Sequence, residues 1–214
     1  MQTIHIKDKL FHQYITDEEI QIRITSIVDE LSQKFRDKNP VFVVVLRGAF
    51  MFASDILKKF NYPCEIEFVK LSSYAGMQST GKINVALPLK ESVITDRDVI
   101  IIEDIVDSGL TMDFFKHYLE GQHPKSITLV SLLFKPQNLQ KEVKVDIAGF
   151  IIPDLFVVGY GLDYDGVGRN LSAIYQVVPW FWRQYSIYSQ IFIEYQSITK
   201  PVNLDKKSVS LMKN

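Results

Sequence analysis

Hydrophobic and polar residues along this chain fall into two recurring patterns. In TDEEIQIRITSIVDELSQKF (16–35), Ile20, Ile24, Ile27, Val28, Leu31 and Phe35 return at helical spacing, and Thr16 with Glu19 forms a capping box at the start. An amphipathic helix is predicted there. VFVVVL (41–46) has no polar position, which suits a strand covered on both faces; it stops at Arg47-Gly48, and a second helix is predicted over 49–60. Similar apolar runs lie at 65–71, 99–102, 127–134, 147–152 and 156–160, while TMDFFKHYLE (111–120) reads as a helix closed by Gly121. Buried strands alternating with helices predict an α/β fold whose central, mostly parallel sheet is flanked by helices.

Composition narrows this picture. With 214 residues, 47% of them hydrophobic, one domain with a sizeable core is the default. The net charge of −1 leaves no broad basic field for nucleic acid or an anionic membrane, so any phosphate recognition has to be local. Cys64 is the one cysteine, and MQTIHIKDKLFHQY lacks the apolar run of a secretory leader, so a cytoplasmic protein without disulfides is expected. The longest uncharged apolar stretch, 170–182, is interrupted by Pro179 and is short for a bilayer span of roughly 20 residues.

The chemistry concentrates in VIIIEDIVDSGLT (99–111). A strand from Val99 to Ile102 delivers Glu103, Asp104 and Asp107 to the carboxyl edge of the sheet, where α/β folds bind ligands. Ser108, Gly109 and Thr111 then open a helix whose amides and hydroxyls suit a phosphate. Carboxylates ahead of a phosphate cradle suit a phosphorylated sugar, with the acids on its hydroxyls or on a metal. The same residues equally suit ordinary loop acids and helix caps. Neither G-x-x-x-x-G-K-[ST] nor G-x-G-x-x-G occurs in the chain.

IIIEDIVDSGLT closely resembles the phosphoribosyl-diphosphate motif of type I phosphoribosyltransferases, and four other segments are similar in order and spacing to the hypoxanthine-guanine branch of that family. These are Val-Leu-Arg47-Gly48, Ser73-Tyr74, Lys135 after the next strand, and IPDLFVVGYGLDYDGVGRNL (152–171). The resemblance covers roughly residues 10–179. It implies a phosphoribosyltransferase domain over 1–180, with a core of about 16–146 and a small hood from about 1–15 and 147–180. It also implies transfer of the 5-phosphoribosyl group of 5-phosphoribosyl 1-diphosphate to hypoxanthine or guanine, with Mg²⁺ as cofactor, in a homodimer or homotetramer.

By the same resemblance Asp107 is the acid/base at the purine N7. Arg47, Gly48, Glu103, Asp104, Asp107, Ser108, Gly109, Leu110, Thr111 and Arg169 bind the phosphoribosyl diphosphate. Lys135, Phe156, Val157 and Asp163 bind the purine; Glu103, Asp104 and Asp163 serve the metal; Ser73 and Tyr74 begin a mobile loop over 71–83. Taken singly, each has a plainer reading: Lys135 as a solvated strand end, Phe156 as core, Asp163 as a loop acid, 71–83 as a surface hairpin. A cis or interconverting Leu46–Arg47 peptide is expected, turning its N–H toward the diphosphate. Arg47 and Leu110 depart from lysines common in the family, at positions where backbone contacts are expected to dominate. The 181–214 extension, with aromatics at near-heptad spacing from Phe181 to Tyr195 and a polar end, has no family counterpart. The rival reading is a regulator that senses the diphosphate without catalysis. Retention of Asp107, Lys135, Asp163 and Arg169, without a basic DNA-binding stretch, argues against it.

Overall fold

The computed structural model describes residues 2–73, 83–178 and 200–203. The chain begins with an antiparallel pair, β1 (Thr3–Ile6) and β2 (Lys9–Ile15), and enters α1 (Asp17–Phe35) through the Thr16–Glu19 capping box. There follow β3 (Val41–Leu46), α2 (Phe50–Lys59), β4 (Glu65–Ser73), β5 (Ile83–Leu87), α3 (Glu91–Ile94) and β6 (Asp98–Val106). After α4 (Leu110–Glu120) come β7 (Ser126–Phe134), β8 (Ile147–Ile151), β9 (Val157–Val158), β10 (Ile174–Val177) and β11 (Val202–Asn203).

Among the described residues, seven strands form the large sheet in the order β11-β8-β7-β6-β3-β4-β5. Its inner strands, β8 through β4, pair in parallel, and both edge strands are antiparallel. β3 shows why its sequence carries no polar residue. Phe42 and Val44 join the core under α1 and α2, while Val41, Val43 and Val45 join the core under α4. Both faces of the strand are therefore dry.

A second sheet, β1-β2-β10-β9, caps the carboxyl edge of the large one, so the hood is built from both ends of the domain. Two boundaries differ from the sequence reading. The 147–151 run, expected in the hood, is β8 of the large sheet, because Ile147, Ala148 and Phe150 are buried against β7. The 156–160 run yields only the two-residue β9, and it pairs with β10 of the hood rather than joining the large sheet. Of the 181–214 extension, only 200–203 is described; β11 there pairs with β8, and the aromatic stripe lies outside the described residues.

The sheet also fixes where a ligand can sit. β3 connects through α2 to β4 on one side, whereas β6 lies on its other side, so the chain reverses direction across the sheet between β3 and β6. β3 pairs with β6 only as far as Val44↔Ile102, then continues with β4 alone. β6 runs on to Val106 beside β7, past the end expected at Ile102. The two strands part at their carboxyl ends, and this switch point opens a cleft of the kind that binds ligands in α/β sheets.

Candidate active site

Three loops from the sheet and one from the hood converge on this cleft. The β3 loop starts with the Leu46–Arg47 peptide, which is cis. Arg47 is exposed and Gly48 is buried. Any Cβ on Gly48 would lie 1.5 Å from Asp104 Oδ2, and one on Gly161 would lie 1.9 Å from the Gly48 carbonyl oxygen. The Gly48 backbone is therefore clasped between the Asp104 carboxylate and the hood, at a distance only glycine allows.

At the end of β6, Glu103 is 8% exposed and its Oε2 has no hydrogen-bond partner. Burial, then the hydrogen bond and charge of neighbouring Asp104, hold its carboxyl well above the ordinary carboxylate value. Asp104 Oδ1 accepts from the Ile105 N–H at 3.0 Å. An orphaned buried carboxylate oxygen beside a second carboxylate is a pair of hard oxygen donors and fits Mg²⁺. Among the described residues no three His, Cys, Asp or Glu side chains gather as a metal cluster, so substrate oxygens and water would complete the shell.

The following turn encloses a cavity of about 130 Å³ lined by Glu103, Asp107, Ser108, Gly109 and Thr111, among others. Gly109 takes a left-handed φ of 77° at the N-cap of α4, and Ser108 Oγ accepts from the Leu110 N–H at 3.4 Å. Thr111 and Met112, whose amides belong to the first turn of α4, also line this space, which suits an anion.

A second cavity, about 200 Å³, adjoins it and is lined by Asp104, Asp107, Lys135, Phe156, Val157, Leu162 and Asp163, among others. Lys135 is no solvated strand end: its side chain is 6% exposed, and Nζ lies 3.0 Å from Asp107 Oδ2 and 3.3 Å from Asp154 Oδ1. Phe156 is no core residue either. It is 46% exposed at the cavity wall, and Tyr164 packs edge-on against it, with ring centroids 5.6 Å apart.

The hood loop is anchored from below by the Tyr160 hydroxyl, which donates to Asp55 at 2.6 Å. Arg169 donates to the Gly161 carbonyl at 2.7 Å and pairs with Asp163, whose other oxygen accepts from the Gly166 N–H at 2.7 Å. Asp163, at the wall of the second cavity, is thus linked to Arg169 further along the chain. β4 carries Ser73 to the edge of the described residues, and Tyr74 with the rest of the expected mobile loop lies outside them.

Asp154, Asn138 and Leu162 were absent from the sequence-based site. Asn138 Nδ2 donates to both Asp107 Oδ1 and Asp154 Oδ1 at 2.8 Å, and these bonds, Asn138 first and Lys135 next, hold the Asp154 carboxyl below its usual value. Lys-Pro-x-Asn was the available signal: proline at the first position of a tight turn brings residues i and i+3 to one side.

The family model of the phosphoribosyl transferase domain matches residues 13–165. The chain is 40% identical over 166 residues to the hypoxanthine-guanine phosphoribosyltransferase of Bacillus subtilis, covering 77% of this chain and 92% of that one. It is 38% identical over 167 residues to the hypoxanthine phosphoribosyltransferase of Salmonella typhimurium, covering 77% and 93%. A crystal structure of a hypoxanthine phosphoribosyltransferase from Staphylococcus aureus superposes with a TM-score of 0.74 at 36% identity, covering 82% of this chain and 94% of that one. With the doubly covered sheet, the two-part hood and the cleft at the switch point, these matches show that the chain belongs to the phosphoribosyltransferase family, among its hypoxanthine and hypoxanthine-guanine phosphoribosyltransferases.

Proposed function

We propose that the protein transfers the 5-phosphoribosyl group of 5-phosphoribosyl 1-diphosphate to hypoxanthine or guanine, forming IMP or GMP and diphosphate in purine salvage. The observation that carries this reading is the pairing of Lys135 with Asp107 at the wall of the second cavity, 3.0 Å apart. An ammonium donor beside a carboxylate acceptor complements the 6-oxo oxygen and adjacent N7–H of a 6-oxopurine. Phe156 stacks on the ring from the exposed side. Val157 and Asp163 line the same cavity and offer carbonyl acceptors to the 2-amino group of guanine.

The 5′-phosphate rests in the Ser108–Thr111 turn, on the amides that open α4, with Leu110 contributing through its backbone. Glu103 and Asp104 hold the ribose hydroxyls and would hold one Mg²⁺, Asp163 would hold a second near the diphosphate, and the metal would supply positive charge against the departing group. Gly48 presents backbone to the diphosphate, and Arg47 and Arg169 add charge beside it. N9 attacks C1′ as the C1′–O bond breaks, and its electron pair becomes the new glycosidic bond. The diphosphate leaves with the electrons of the broken bond, and Asp107 accepts the N7 proton. One proton-transfer group of this kind contributes about 10²- to 10⁴-fold.

The loop expected to begin at Ser73-Tyr74 belongs to this reading, and its residues 74–82 lie outside the described ones. Assembly into dimers or tetramers and a cytoplasmic location also belong to it. Exposed Ile66 and Phe68 on one side of β4 support self-association, and among the described residues no helix is long and apolar enough to cross a membrane. Diphosphate release on mixing the protein with Mg²⁺, phosphoribosyl diphosphate and hypoxanthine tests the assignment. Sustained turnover is the expected result; tight binding of the diphosphate without turnover contradicts it.

A further inference from the structure

The β7–β8 connection forms a bracket around the end of β6. The Lys135 N–H donates to the Val106 carbonyl at 2.9 Å, and the Gln140 N–H donates to the Ser108 carbonyl at 2.8 Å. Residue 107 is therefore held from both sides by one loop. Within it, Pro136–Asn138 is a single 3₁₀ turn closed by the Asn138 N–H on the Lys135 carbonyl at 3.1 Å. That geometry places the side chains of Lys135 and Asn138 on the same side.

The two side chains divide the Asp107 carboxylate between them. Lys135 takes Oδ2, and Asn138 donates to Oδ1 at 2.8 Å. Both also reach Asp154 Oδ1, Asn138 at 2.8 Å and Lys135 at 3.3 Å, which closes a ring of four residues. Lys135 alone leaves the carboxylate free to swing about its Cβ–Cγ bond. A second donor on the other oxygen fixes the plane of the carboxylate at the wall of the second cavity.

We propose that Asn138, braced by Asp154, is a positioning residue that fixes the carboxylate of Asp107 for proton transfer at N7. The inference rests on the transfer reading above and adds to it a residue that touches no reacting atom. Because Asn138 acts through Asp107, its loss lowers kcat and leaves the phosphoribosyl diphosphate KM alone, that ligand being held by the Ser108–Thr111 turn. Asn138→Leu roughly preserves the volume and removes the donor without adding charge beside Asp107 and Asp154, so it separates hydrogen bonding from packing.

The test measures kcat and both KM values for the full-length protein, Asn138→Ala and Asn138→Leu, each with Asp107 intact and with Asp107→Asn. With Asp107 intact, both variants are expected to lose roughly tenfold in kcat, the scale of one hydrogen bond to a charged group. KM for phosphoribosyl diphosphate should stay within about twofold, and in the Asp107→Asn background the further loss should shrink below about twofold. Wild-type kcat in either variant, or an equal loss in both backgrounds, overturns the role. A wild-type protein with no turnover overturns the parent reading, and this one with it.

Discussion

Gly48→Ala separates what the diphosphate loop does for the ligand from what it does for the fold. An alanine Cβ would stand 1.5 Å from Asp104 Oδ2 and 2.3 Å from its Cγ, so the carboxylate has to retreat by about 2 Å to reach ordinary contact distance. Gly48 does not occupy the positive-φ region, so alanine fits its backbone. The obstacle is the far end of a side chain, which can turn away. The cost to folding is accordingly small, under about 1 kcal/mol, or a Tm change within about 4 °C for a chain of this length. In the proposed reading the cost to binding is larger, because a displaced Asp104 would lose a charge-assisted hydrogen bond to a ribose hydroxyl, worth about 1.5–3 kcal/mol. At 1.36 kcal/mol per decade, kcat/KM for phosphoribosyl diphosphate falls roughly 10- to 150-fold. Steady-state kinetics with that substrate varied, beside a thermal melt of the same sample, reads both quantities. A wild-type kcat/KM refutes the assignment of Asp104, and a collapse of Tm by more than about 10 °C shows that the glycine serves folding first.

Three more outcomes follow from the geometry. Asp107→Asn keeps the shape of the side chain but cannot accept a proton, so kcat should fall by about 10² or more with little change in phosphoribosyl diphosphate binding; unchanged kcat removes Asp107 from the chemistry. Gly161→Ala combines a φ of 99° with a backbone oxygen only 1.9 Å from the new Cβ, and should cost about 2–4 kcal/mol in denaturant unfolding as well as activity, unlike the alanine at 48. Glu103 holds its proton more tightly folded than unfolded, so above its ordinary value of 4.5 the folded state binds more protons and the ligand-free protein loses stability as pH rises toward the folded value. Glu103→Gln should flatten that part of the stability-pH curve, and parallel curves for the two proteins in urea unfolding would contradict it.

What the sequence disclosed follows from how local each signal is. The α1 stripe and the β3 run are readable because one face, or both, must be apolar along a continuous segment, and the Thr16 cap acts across three residues. Glu103 to Thr111 is legible for the same reason, being one strand end and one helix start. The strand itself ran further than its apolar residues suggested, because pairing with β7 carries the acids along while β3 turns away. The assignment of 147–151 to the hood failed because a fully buried strand looks alike in either sheet. Asn138 and Asp154 were missed since their partners lie 31 and 19 residues away, and a polar stretch such as Pro-Gln-Asn gives no sign of which carboxylate it will meet. The clasp of Gly48 between Asp104 and Gly161 is likewise a contact between three distant segments, visible only once the hood is in place.

The central claim is that Lys135 and Asp107 together read the 6-oxo edge of a purine, and a panel of bases tests it most directly. Lys135 offers donors only, so adenine would leave its ammonium facing an amino group, at a cost of about 1–3 kcal/mol for the unpaired site and more in a closed cavity. With Mg²⁺ and phosphoribosyl diphosphate fixed, kcat/KM is predicted to be high for hypoxanthine and guanine, well below them for xanthine and negligible for adenine, and Lys135→Ala should narrow the gap to adenine. Efficient turnover of adenine by the unaltered protein would contradict the account.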